Sequence, residues 1–328
     1  MEQKKETCYT ESKIGMNTFL RMTSYDESGK TSFKTAWEVL HRIERLCSRF
    51  ESTSEVSKIN LLAGQERVKV SKELSQILKT AQSISSFTDG AFDATIGAVT
   101  DLWSIGANHE RIPLEEENKQ AKSLVNYRLI DIQEDSVFLP HKGMKLDLGG
   151  IAKEFAVHLA AQEAEMRGLR AGIIDAGGDI CIVGNKPDQQ PWRMGIQHPR
   201  QKNTLLASVA MQMWDTIETS GDYCRFLQRE DFFCSHIFSS HFDKEMDDLM
   251  SVTLIYRRSK ELLPVNGTAF LVSGLKKSQQ LLARLPELEG VFVTRSMDVF
   301  ITEGLRNYIT ILPQDMQRQT FVLKRKGF

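Results

Sequence analysis

No run in this chain approaches the ~20 consecutive apolar residues of a membrane-spanning helix, so the sequence offers no transmembrane segment. An excess of either charge is also missing: the formal net charge is −1 over 328 residues, with no long basic run. Neither nucleic acid nor an anionic membrane surface is favoured as a partner. Cysteine is sparse. Cys8, Cys47, Cys181, Cys224 and Cys234 are widely spaced, odd in number and form no CxxC pair. Reduced thiols in a cytosolic compartment are therefore expected. Residues 1–8 contain no apolar h-region of the kind export needs, so Cys8 reads as an incidental thiol and the location as cytoplasmic. No internal repeat or low-complexity linker divides the chain. The composition, 41% hydrophobic and 26% charged, is that of a soluble globular protein long enough for a sizeable core.

In chain order, residues 1–13 are polar and read as a flexible tail, and residues 14–328 as one unit. Residues 14–22 read as a first strand. Phe33, Trp37, Leu40, Ile43, Cys47 and Phe50 fall at helical spacing. So do Leu74, Ile77, Leu78, Ala81 and Ile84, with Ser71 as the N-cap. Pro113 is placed to start a short charged helix. Residues 127–139 alternate like a hairpin around Glu134 and Asp135. Residues 192–199 read as an edge strand ending at proline, 205–213 as another strand, and 219–223 as a polar turn. Strands at 251–256, 291–294 and 308–311 close the sheet. One helix starts near Thr268 and another runs from Lys276 to Leu285. Strands and helices mix without strict alternation, so the fold class is α+β, with mixed or antiparallel sheets and packed helices.

One stretch organises the rest: Lys145-Leu146-Asp147-Leu148-Gly149-Gly150-Ile151-Ala152-Lys153-Glu154. An apolar run ends in two glycines, and a helical pattern begins at once, with Ile151, Phe155, Leu159 and Met166 as its apolar face and Gly168 at its end. Glycines at a helix start let the backbone approach a ligand, and the open N–H groups there suit a phosphate or diphosphate. Taken alone, the stretch reads better as a Gly-Gly connection with solvated flanking charges.

Two more motifs flank it. Gly90-Ala91-Phe92-Asp93, with Trp103 after it, comes before; Gly177-Gly178-Asp179 comes after. In this order and spacing the three motifs resemble the ApbE family, the FAD:protein FMN transferases, over residues 14–310. The resemblance implies an ApbE-like architecture related to the T-fold. It implies transfer of FMN from FAD to a serine or threonine hydroxyl of an acceptor protein through a phosphoester bond, with release of AMP and dependence on Mg²⁺. It further implies that Met16, Ala91, Phe92, Asp93, Asp147 and Lys153 contact FAD. For Met16, a plain core position in a strand is an equal alternative. Gly149 and Gly150 would lie against the phosphates, and Gly150 would also ligate the metal through its carbonyl oxygen. His236 and Ile237 match the family's His-Ile pair, with His236 as the base for the acceptor hydroxyl; a surface loop histidine is the competing reading. Thr268 matches a metal-ligating threonine.

The family pattern is broken in three places. After Ile237 the usual Asp-Pro run is replaced by Ser239-Ser240-His241-Phe242-Asp243. Pro264 stands where the family has an aspartate metal ligand, four residues before Thr268. Glu261 is a candidate substitute ligand, or simply a solvated residue after Lys260. Glu154 stands where a glycine is usual, and Asp175 where an asparagine is usual. A transfer-deficient FAD-binding protein of the same fold, a carrier, regulator or weak FAD pyrophosphatase, is the alternative function.

Overall fold

The computed structural model describes residues 8–230, 232–239, 248–259, 263, 265–312 and 319–324. Glu261, Pro264, His241 and Asp243 lie outside the described residues. The chain opens on a hairpin. β1 (Tyr9–Gly15) pairs antiparallel with β2 (Thr18–Ser24), Tyr9 opposite Ser24 and Gly15 opposite Thr18. This corrects two expectations. Residues 14–22 are not one strand, because Met16 (φ 50°) and Asn17 (φ 57°) make a two-residue left-handed turn of the kind that suits a twisted hairpin. Residues 9–13 are not a flexible tail, because the ladder to β2 holds them and Tyr9 stacks on Phe33 with centroids 5.7 Å apart.

The helices follow the sequence pattern closely. α1 (Gly29–Cys47) buries Phe33, Trp37, Leu40, Ile43 and Cys47, whereas Phe50 falls beyond its end and is 70% exposed. α2 (Glu55–Leu61) is capped by Ser54. β3 (Val68–Lys69) leads to α3 (Lys72–Phe87), where the Ser71 side chain accepts from Leu74 N–H as expected. α4 (Gly97–Trp103) and α5 (Glu115–Ser123) follow, the latter beginning two residues after Pro113. The hairpin read at residues 127–139 is β4 (Asp131–Gln133) with β5 (Ser136–Phe138), preceded by a 3-10 turn. α6 (Ala152–Met166) packs along α1. Its buried side is richer in alanine than the expected stripe: Ala156, Ala160 and Ala164 are fully buried and Met166 is exposed. Small residues there let two helix backbones lie close. Gly168 (φ 96°) ends the helix in the left-handed conformation.

The remaining strands are β6 (Ala171–Ala176), β7 (Asp179–Gly184), β8 (Trp192–Gln197), β9 (Leu205–Met211), β10 (Thr216–Gly221), β11 (Phe226–Arg229), β12 (Phe232–Ser235) and β13 (Leu249–Tyr256). α7 (Gly267–Leu282), β14 (Glu289–Thr294), β15 (Val299–Thr302), β16 (Ile309–Ile311) and β17 (Thr320–Leu323) complete the fold. Among the described residues the main sheet has nine strands in the order β1-β2-β6-β7-β10-β13-β14-β15-β17, antiparallel except for β15 with β17. Mixed sheets with packed helices make the fold α+β.

Two further expectations change. Residues 219–221 are not a turn: they belong to β10 and pair with residues 251–253 of β13. Their polar side chains misled the sequence reading, because this end of β10 opens on a cleft rather than on the core. Residues 308–311 do not close the main sheet; β16 pairs with β9, and β8 is the other edge of that small sheet. α7 contains a break at Gly274 (φ 71°, ψ 173°), which explains why two helices were expected around Thr268 and Lys276.

Candidate functional site

A cleft of about 490 Å³ opens at the Met16 turn, the loop at residues 88–97, the Gly149/Gly150 turn, the end of β10 and the start of α7. That volume lies in the range of small-molecule sites, roughly 300–1,000 Å³. Every described residue of the sequence-derived site set lines it: Met16, Ala91, Phe92 and Asp93; Asp147, Gly149, Gly150 and Lys153; His236, Ile237 and Thr268.

One wall is braced by carboxylates turned to their own backbone. Asp93 Oδ1 accepts from Thr95 N–H at 2.8 Å and from Thr95 Oγ1 at 2.6 Å, and its Oδ2 accepts from Tyr127 N–H at 2.9 Å. Both oxygens thus shape the loop that presents Ala91 and Phe92. Asp147 does the same for the glycine turn. Its Oδ1 accepts from Gly149 N–H at 2.9 Å. Its Oδ2 accepts from Thr100 Oγ1 at 2.9 Å and pairs with Arg49 Nε at 2.9 Å. Arg49 also pairs with Asp101, which Lys145 Nζ reaches at 2.5 Å. Sequence reasoning passed over Arg49; its position at the end of α1 gave no spacing signal.

The glycines are needed for space. A Cβ on Gly150 would stand 3.0 Å from the Phe92 ring and 3.4 Å from Thr268 Oγ1. The amide cradle is narrower than expected, because Gly149 N–H is taken by Asp147, and Ile151 and Ala152 N–H both donate to Leu148 O. Lys153 pairs with Asp179 across 2.5 Å. Burial works against its charge, but the Asp179 carboxylate outweighs burial and holds the ammonium above its ordinary range. Asp179 is delivered by the tight β6–β7 turn at Gly177 (φ 67°) and Gly178 (φ 102°).

The facing wall is built around α7. Asn266 caps the helix through Oδ1, which accepts from Ala269 N–H at 2.8 Å, while its Nδ2 donates to Gly150 O at 2.8 Å. One residue therefore ties the glycine turn to the start of α7. It too was missed, although an asparagine two residues before Thr268 is a readable N-cap. Thr268 Oγ1 lies 3.3 Å from Ser220 Oγ. The Gly150 carbonyl keeps a second lone pair beyond its bond from Asn266. This oxygen and the Thr268 hydroxyl are both hard oxygens of the type Mg²⁺ takes, but they bring no negative charge of their own. Among the described residues no group of three or more His, Cys, Asp or Glu side chains is arranged to hold a metal ion.

His236 follows β12, whose hairpin with β11 was not expected from the sequence. Its backbone N–H and its ring Nδ1 both reach Arg225 O, at 3.1 and 3.0 Å. A carbonyl only accepts, so Nδ1 carries the proton and Nε2 keeps its lone pair. Burial, aided by the Arg225 charge, pushes the His236 pKa down to about 4, so the ring is neutral at neutral pH. Phe238 and Phe232 pack on Trp103, with centroids 5.5 and 6.1 Å away. That aromatic platform is the structural role of the motif tryptophan.

The ApbE family profile matches residues 16–292. The FAD:protein FMN transferase of Treponema pallidum is 28% identical, covering 97% of this chain and 91% of that relative. The FAD:protein FMN transferase of Klebsiella pneumoniae is 26% identical, covering 93% and 95%. The crystal structure of the ApbE protein from Thermotoga maritima superposes with a TM-score of 0.78 at 25% identity, covering 92% of this chain and 99% of that one. The flavin transferase ApbE from Vibrio cholerae shares the fold with a TM-score of 0.80 at 21% identity. With three motifs in order, one cleft that gathers them, and a family match over most of its length, the chain belongs to the ApbE family.

Proposed function

We propose that this ApbE-family transferase moves FMN from FAD to a serine or threonine hydroxyl of an acceptor protein, working as one catalytic unit in the cytoplasm. The observation that carries the reading is His236 on the cleft wall with its ring Nδ1 3.0 Å from Arg225 O, a contact that puts the proton on Nδ1 and leaves the Nε2 lone pair as the base. The hydroxyl oxygen attacks the FMN phosphorus, its proton passes to His236 Nε2, and the P–O bond to AMP breaks with the electron pair leaving on AMP. Ala91, Phe92 and Met16 receive the flavin nucleotide, with Asp93 and Asp147 holding the loops that present them. Ile237, which lines the cleft, joins Met16, Ala91 and Phe92 as a cofactor contact. Lys153 brings positive charge toward the diphosphate, and Gly149 and Gly150 allow its close approach.

Gly150 O and Thr268 Oγ1 would hold Mg²⁺, with Glu261 as the proposed source of negative charge in place of the aspartate that Pro264 replaces. The ion, when bound, would neutralise charge on the diphosphate. The test is incubation with FAD, Mg²⁺ and a candidate acceptor, followed by intact mass and AMP assay. An acceptor heavier by one FMN, with AMP released in equal amount, is expected. FAD binding without AMP release would assign the chain to the transfer-deficient alternative.

A further inference from the structure

The β11–β12 hairpin leads straight into His236, and its two faces differ. The ladder sets Phe226 opposite Ser235, Leu227 opposite Cys234, Gln228 opposite Phe233 and Arg229 opposite Phe232. Side chains alternate along a strand, so Leu227 and Phe232 share one face and Phe226 and Phe233 the other. The first face is the inner one: Leu227 is buried and Phe232 stacks on Trp103. The second is turned to solvent, with Phe226 44% and Phe233 37% exposed and their ring centroids 5.4 Å apart. An antiparallel pair with one solvated face ordinarily carries polar side chains on it. Two phenyl rings side by side in that place form an apolar patch of the kind that marks a contact surface. Arg295 backs Phe233 at 5.8 Å and is itself bonded to the buried Asp222 carboxylate, so the ring is held in place before anything docks on it.

We propose that this outer face is the docking surface for the acceptor protein: a segment that lays an apolar or aromatic side chain on Phe226 and Phe233 and a carboxylate against Arg225, with its serine or threonine at His236. The proposal rests on the transferase reading for the identity of the partner. Two observations select that partner. The first is continuity with the cleft. His236 N–H donates to Arg225 O at 3.1 Å, one pair beyond Phe226 and Ser235, so the hairpin ladder runs on to the base itself. Phe233 precedes His236 by three residues, about 10 Å along a strand, and a chain seated on the phenyl pair reaches the base within a few residues. The second is charge. Arg225 is exposed and lines the cleft, with its stem over Gly106, where an added Cβ would stand 3.3 Å from Arg225 Cδ. Its guanidinium makes no ion pair among the described residues. An acidic segment is complementary to that mouth, and a basic one is repelled.

The probes are two labelled synthetic peptides, each with one threonine and one phenylalanine, flanked by aspartates in one and by lysines in the other. Fluorescence anisotropy on the full chain reads docking without FAD. The aspartate peptide should bind, and the lysine peptide should bind ~10-fold more weakly or less. Phe226→Ser combined with Phe233→Ser should weaken the aspartate peptide ~10-fold, the loss expected for an interfacial anchor, with FAD affinity unchanged and the fold intact by circular dichroism. Arg225→Glu should reverse the preference toward the lysine peptide, which a merely structural arginine would not do. No binding of the aspartate peptide, equal binding of the two peptides, or undiminished binding by the folded double variant overturns the proposal. Self-association in sedimentation that the double variant abolishes gives the face to a second copy of the chain and overturns it as well. If the wild type releases no AMP when FAD and Mg²⁺ are added, the proposed function fails, and the anisotropy still decides whether the hairpin docks an acidic segment.

Discussion

On the wall that carries Phe92 and the Gly149/Gly150 turn, the carboxylates of Asp93 and Asp147 are engaged by Thr95 and Gly149 two residues on, and also by the more distant Tyr127 N–H, Thr100 hydroxyl and Arg49. On the wall formed by β10 and α7, Gly150 O meets an asparagine amide, Thr268 meets Ser220, and Glu218 meets Gly267 N–H. The first wall combines two local turns with contacts from distant segments. The second depends on contacts between distant parts of the chain. A local turn forms wherever its few residues stand in order, whereas a long-range contact also needs both elements to pack.

The largest effect expected from breaking this contrast is at Gly150. A valine there drives its Cβ and methyls into the Phe92 ring and Thr268, so Gly150→Val should abolish FAD binding in a folded protein. Titration of flavin fluorescence measures it, and undiminished affinity would remove the close-approach argument for the first wall.

Next in size is His236→Ala. Transfer should fall ~10²–10⁴-fold, as for loss of a general base, with FAD affinity unchanged. Because the ring is held neutral down to about pH 4, the acid limb of the wild-type transfer rate should lie near pH 4 rather than near the ordinary histidine value of 6.5. A limb at the ordinary value, or transfer within a few-fold of wild type in His236→Ala, shifts the base elsewhere.

A smaller change is expected at the missing ligand. Pro264→Asp should raise Mg²⁺-dependent AMP release several-fold, and Glu261→Ala should lower it. Full activity in Glu261→Ala together with no gain in Pro264→Asp counts against both halves of the metal reading.

The smallest effect concerns Glu154, a buried carboxyl that lines the cleft. Burial raises it in the folded state, so its contribution to stability is present below the unfolded value of 4.5 and is lost as pH rises through about 8. Glu154→Gln should flatten the decline in melting temperature over that window. An unchanged slope would place the titrating group elsewhere.

Much of this protein is legible from residue order alone. Helix faces, the Ser71 cap, the edge strand before Pro199 and the glycine turn all rest on interactions within a few residues, where spacing and side-chain type suffice. The site set came from the resemblance of the three motifs to the ApbE family, and its described members line one cleft. The tertiary structure alone decided which strands are neighbours, turning residues 219–221 from a turn into part of a central strand and sending β16 to the smaller sheet. It alone brought Arg49 to Asp147 and Asn266 to Gly150 O. Those contacts span roughly 100 to 120 positions of sequence, and their partners are chosen by burial and by the matching of donors to acceptors across packed elements, which no local spacing encodes.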